Sequence, residues 1–118
     1  CDVGHNEDGI NVILEQLKLE EYEQLHIVFG MVNDKNPSSI SLLPKDANYH
    51  LCKANIPRAM DLETLKSHFI SSELTISSSA EKVKDAYTNA LKMANTNDLV
   101  LVIGSFFVVA EVLELIEN

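Results

Sequence analysis

The stretch L-V-L-V-I-G-S at 99–105, read together with L-H-I-V-F-G-M at 25–31, decides the architecture. Both segments are nearly continuous in apolar, mostly β-branched residues. That is the pattern of strands buried on both faces of a parallel sheet. Three shorter runs, Cys1–Val3, Tyr49–Lys53 and Leu74–Ile76, read as further strands. Helical periodicity fills the gaps. Strand–helix alternation of this kind predicts an α/β domain with a mostly parallel sheet and helices on both faces.

The helical stripes follow a 3.6-residue period. Ile10, Ile13, Leu14 and Leu17 form the first, and Leu62, Leu65 and Phe69 the second. Ala80, Val83, Tyr87, Ala90, Leu91 and Ala94 form the third; Val108, Val112 and Leu115 begin a fourth. A short helical turn is expected over 38–43, before Pro44. Asp61 is placed to cap the second helix, and Ser78 with Glu81 has capping-box spacing at the third. Pro37, Pro44 and Pro57 fall in expected connections, where a missing N–H is tolerated. The Ser-rich run 71–79 reads as a short strand with polar ends.

The chain has 118 residues, 46% of them apolar, which is one domain with enough side chains for a core. Nine Lys and Arg against eighteen Asp and Glu give a net charge of −9. That argues against nucleic-acid or anionic-membrane binding, both of which need a positive face. Cys1 and Cys52 form no disulfide framework, and reduced thiols in a cytoplasmic protein are the plain expectation. No apolar run reaches membrane-spanning length. A mature lipoprotein would also begin with Cys but would continue into a polar linker. Structure begins here at once, so a domain cut from a longer protein is expected.

In such sheets, ligands gather beyond the carboxyl ends of the strands. Three loops there carry chemistry. Asp2-Val3-Gly4-His5-Asn6 puts a carboxylate, an imidazole and an amide at the end of the first strand. Asn6 and Asp8 also serve as plain helix caps. Gly30 closes the second strand ahead of a polar turn containing Lys35, which is read first as a surface residue. Gly104-Ser105 leads into the last helix, where Ser105 can cap the helix or present an anion site. GxxxxGK[ST], GxGxxG, CxxC, HExxH and GxSxG are all absent. Spacing alone therefore reaches only an α/β domain with a candidate anion site.

The same loops carry a resemblance. D-V-G-H-N (2–6), H-I-V-F-G-M-V-N-D-K (26–35), L-L-P-K-D-A (42–47), I-P-R-A (56–59) and D-L-V-L-V-I-G-S-F-F-V-V-A-E-V (98–112) occur in one order across nearly the whole chain. Together they resemble the carboxy-terminal domain of folylpolyglutamate synthase/dihydrofolate synthase, of the Mur ligase superfamily. One departure shows. The related motif often reads D-G-A-H-N-P, where this chain has Val3-Gly4 and Glu7, while Asp2, His5 and Asn6 match.

The resemblance implies a three-layer Rossmann-like lid spanning 1–118, part of a longer enzyme whose amino-terminal P-loop domain lies outside the chain. It implies an ATP-dependent acid–amino-acid ligase. A folate or dihydropteroate carboxylate is phosphorylated to an acyl phosphate, which the amine of L-glutamate attacks. ATP and Mg2+ would be bound mainly by the other domain. The family pattern assigns His5 and Ser105 to glutamate, with His5 also near the reacting phosphate. It assigns Asp2 and Asn6 to ATP. None is a nucleophile or metal ligand, and their work is positioning and charge stabilisation. The expected partners are the P-loop domain and the substrates in a cytoplasmic monomer, with neither nucleic acid nor membrane involved. The isolated chain is expected to be inactive. The alternatives are a free-standing nucleotide- or amino-acid-binding module, an interaction domain, or the lid of another Mur-type ligase.

Overall fold

A computed structural model describes residues 3–4, 23–33 and 35–117. Five strands, β1 (Val3–Gly4), β2 (Leu25–Gly30), β3 (Ala47–Cys52), β4 (Ile76–Ala80) and β5 (Leu99–Gly104), form one sheet in the order β1-β5-β2-β3-β4. Every pairing is parallel. The helices are α1 (Leu62–Ser71), α2 (Val83–Met93) and α3 (Phe106–Glu117), with a 3-10 helix at Pro37–Leu42. The expected first helix, 10–17, lies outside the described residues.

Alternation along the central strands splits the core in two. Leu25, Ile27 and Phe29 of β2, Tyr49 and Leu51 of β3, and Leu101 and Ile103 of β5 face one side. There they meet Leu62, Leu65 and Phe69 of α1 and Ile40 of the 3-10 helix. Phe69 packs edge-on against Phe29 and Tyr49, with ring centroids 5.3 and 5.1 Å apart. Val28, Cys52 and Val102 face the other side, under Val83, Ala86 and Ala90 of α2 and Val108, Val109 and Val112 of α3. The central strands are largely apolar because neither face meets water, with His26 and His50 as buried polar members. Helices on both faces of a parallel sheet confirm the three-layer α/β reading.

The Asp61 cap is present: its Oδ2 accepts from the Thr64 N–H at 3.1 Å and its Oδ1 from the Thr64 hydroxyl at 2.8 Å. The expected capping box at α2 is not formed. Ser78 lies inside β4, and Lys82 stands at the N-cap without a side-chain bond. The fourth strand runs through the serines themselves rather than over 74–76. As an outer strand, β4 is only half-buried and needs little apolar side chain. Leu91, placed on the α2 stripe by periodicity, is 50% exposed, and Ala86 takes the inward position.

Candidate functional site

All five strands run the same way, so their carboxyl ends share one edge. There β2 and β5 finish in register on Gly30 and Gly104. Gly104 has φ of +110°, and a Cβ on it would stand 2.2 Å from the Gly30 carbonyl oxygen. A Cβ on Gly30 would meet Val108 Cγ2 at 2.7 Å and the Cys52 carbonyl oxygen at 2.9 Å. The strand ends are pinched too tightly for side chains. The Ser105 N–H then donates to the Gly30 carbonyl at 2.9 Å, which fixes how α3 leaves the sheet.

Ser105 is 5% exposed. Its Oγ accepts from the Phe107 N–H at 3.0 Å, and its carbonyl accepts from Val108 and Val109. It therefore caps α3, as the sequence allowed. A hydroxyl that accepts there also carries a proton that it can donate. On the other side of β5, Val3 pairs with Val102 and Gly4 with Ile103. β1 thus ends beside the strand that delivers Ser105. Asp2, His5 and Asn6 themselves lie outside the described residues.

The turn after β2 is less polar than the sequence suggested. Met31 and Val32 are buried. The Met31 carbonyl accepts from the Met60 N–H, and the Asn33 N–H donates to the Arg58 carbonyl, both at 2.8 Å. These bonds, with a bridge between Val32 and Ala59, tie the loop after β2 to the loop after β3. Lys35 is exposed. The Arg58 guanidinium lies 5.2 Å from the centre of the Phe107 ring, two residues on from Ser105. Periodicity had no means of marking that contact, which joins residues 49 positions apart.

A cavity of about 660 Å³ opens beyond β3 and β4. Lys53, Asn55 and Ile56 line it from the loop after β3, Lys82 and Lys84 from the start of α2, and Glu111 from α3. Glu111 Oε2 accepts from the Asn55 N–H at 2.9 Å, which ties that loop to α3. The sequence reading did not single out this region, since its lining comes from three separate segments. Burial and then the Glu111 charge push the Cys52 thiol upward, so it is an inert core group. Among the described residues, no three His, Cys, Asp or Glu side chains converge as a metal cage. No helix among them is long and apolar enough to cross a membrane.

The family model described as "Mur ligase, glutamate ligase domain" matches residues 1–106. The chain belongs to the Mur ligase family. This Mur ligase domain is 35% identical, over 111 residues and 93% of its length, to a probable bifunctional folylpolyglutamate synthase/dihydropteroate synthase of Haloferax volcanii. It spans 13% of that protein. E. coli FolC in complex with ADP superposes with a TM-score of 0.85 at 28% identity, covering 98% of this domain and 28% of that chain. A bifunctional folylpolyglutamate synthase/dihydrofolate synthase with Mn, AMPPNP and L-glutamate bound superposes equally well, at 0.85 and 25% identity, over 99% of this domain and 28% of that chain.

Proposed function

We propose that this chain is the carboxy-terminal, amino-acid-binding domain of an ATP-dependent amide-bond ligase that joins L-glutamate to folate or dihydropteroate. The observation that carries the reading is the pairing of β1 with β5 at the ligand edge. It sets Val3 and Gly4, the described part of the D-V-G-H-N motif, beside the strand that leads into Ser105, in a fold shared with nucleotide- and glutamate-bound relatives.

The assigned roles follow from chemistry. The Ser105 hydroxyl donates to a glutamate carboxylate from a helix start, where the local field favours an anion. Its backbone is held by Gly30, so little freedom remains to be lost on binding. His5 contributes a second contact to glutamate, next to the phosphate being displaced. Asp2 and Asn6 contact the nucleotide. The magnesium ligands are assigned to the P-loop domain, as the resemblance implies. Acyl phosphate formation and attack by the glutamate amine take place between two domains, of which this one positions the amino acid. The site of action is the cytoplasm.

The test is steady-state kinetics of the full-length enzyme with Ser105→Ala. The KM for glutamate rises about tenfold or more, the KM for ATP changes less than twofold, and the isolated chain gives no turnover. One lost hydrogen bond to a charged ligand accounts for that size, at about 1.5–3 kcal/mol. Unchanged glutamate kinetics remove Ser105 from the site. Micromolar binding of ATP or glutamate to the isolated chain would favour a free-standing module instead.

A further inference from the structure

On the face of the sheet beneath α2, four polar side chains, three from strands and one from the residue before β5, form one line. Asp98 Oδ2 lies 3.1 Å from His26 Nε2. His26 Nδ1 lies 3.4 Å from His50 Nε2, and His50 Nδ1 lies 2.7 Å from Ser78 Oγ. His26 is 1% exposed and His50 is fully buried. The Asp98 side chain is 1% exposed, and it also accepts from the backbone N–H groups of Asn95 and Gln24. The line crosses β2 and β3, from the residue before β5 to the outer strand β4.

A backbone irregularity aims its last member. Tyr49 pairs with Ile76, but His50 pairs with Ser78, so the register slips by one residue at Ser77. Without the slip, Ser77 would stand opposite His50. The slip turns the Ser78 hydroxyl toward the ring, as strand bulges commonly re-aim a side chain.

Hydrogen-bond directions limit how many protons the line can hold. With neutral rings, Ser78 O–H donates to His50 Nδ1, His50 Nε2–H to His26 Nδ1, and His26 Nε2–H to Asp98. One added proton reverses the inner bonds: doubly protonated His26 donates to both Asp98 and His50 Nε2, and His50 Nδ1–H donates to Ser78 Oγ. Every ring nitrogen still has a partner. A second added proton places two N–H groups head to head across 3.4 Å, on two buried cations, with no acceptor between them.

Among the described residues, the charged side chains of the neighbouring elements are turned elsewhere. α2 covers the face with Val83, Ala86, Tyr87 and Ala90. Tyr87 is its one polar side chain on that stripe, while Lys82, Lys84, Asp85 and Lys92 point outward. From β3, Cys52 donates to the Phe29 carbonyl. From α3, Glu111 is turned to Asn55. Glu23, before β2, is exposed and accepts from Asn97.

We propose that Asp98–His26–His50–Ser78 is an acid-sensitive latch that holds the outer strand β4 on the sheet, closed with zero or one added proton and opened by the second. β4 depends on it because, among the described residues, the strand has one neighbour, β3, and its three serines bury little apolar surface. The latch is independent of which ligand the domain serves.

The experiment is side-chain 15N NMR of His26 and His50 across pH 8 to 3.5 on the full chain, with amide hydrogen exchange corrected for intrinsic rates. The second proton enters as the amides of 78–80 lose at least tenfold protection, while those of β2 and β5 keep theirs. His50→Gln can donate to His26 and accept from Ser78 but cannot take a proton, so β4 protection becomes independent of pH. Should that variant not fold, Ser78→Ala cuts the line without adding charge, and β4 protection is then already low at pH 7. Two protons entering the rings with β4 protection unchanged overturns the proposal. So does a Ser78→Ala chain that exchanges like the wild type at every pH.

Discussion

Replacing Gly104 with Ala tests how tightly the ligand edge is built. A φ of +110° is a conformation that residues with a side chain rarely adopt, and holding one there costs about 1–3 kcal/mol. The new methyl would stand 2.2 Å from the Gly30 carbonyl oxygen, less than contact distance, so the strand end must move. That oxygen also accepts from the Ser105 N–H, and losing the bond costs about 0.5–1.5 kcal/mol more. Together the variant loses about 2–4 kcal/mol. Urea unfolding followed by circular dichroism reads this directly. With a slope of about 1–2 kcal/mol per molar urea, the midpoint falls by about 1–4 M while the slope stays constant. A loss under about 0.5 kcal/mol would show that the edge relaxes freely and that the pinch does not fix Ser105.

Gly30→Ala meets Val108 and the Cys52 carbonyl and costs about 1–3 kcal/mol by overpacking, read by the same unfolding curve. Phe69→Ala removes a fully buried ring that touches Phe29 and Tyr49, lowering stability by about 3–5 kcal/mol. Asp61→Ala lowers the urea midpoint at pH 7. The Thr64 hydroxyl and N–H hold this carboxyl below its usual range, so the difference from wild type narrows as the pH falls through that lowered value. Burial, and then the charge of His26, lower the His50 pKa to about 4. An unfolded histidine binds its proton near pH 6.5, so stability is full above that pH. It declines by up to about 3 kcal/mol toward pH 4, and denaturant titrations of His50→Gln show a flatter profile there.

The parts of the fold that could be read in the sequence are those where one face or both are uniformly apolar. Leu25–Gly30 and Leu99–Gly104 announce themselves because water reaches neither side, and the Asp61 cap because its partner is three residues away. β4 was displaced in the reading because its serines look like a connection. What makes Ile76–Ala80 a strand is its partner β3, more than twenty residues upstream. For the same reason Ser78 reads as a helix cap. His26 and His50 were absorbed into apolar runs, although each sits at an even position of its strand with Asp98 just ahead of β5. Matching those parities across strands is the signal that would have found the buried line. At the candidate site, the placement of Ser105 was legible from Gly-Ser after a buried strand. The Arg58–Phe107 contact and the cavity beyond β3 and β4 were not, because they join segments that no local pattern connects.

The run of serines along the outermost strand has a consequence beyond the domain's own stability. An open border of a parallel sheet offers unpaired amides and carbonyls to any extended chain that drifts against it, and a border of valines would invite stacking into fibrils. Ser77, Ser78 and Ser79 give such a newcomer almost no oily surface to hold. The hem that costs the sheet cohesion on that side also keeps it from growing.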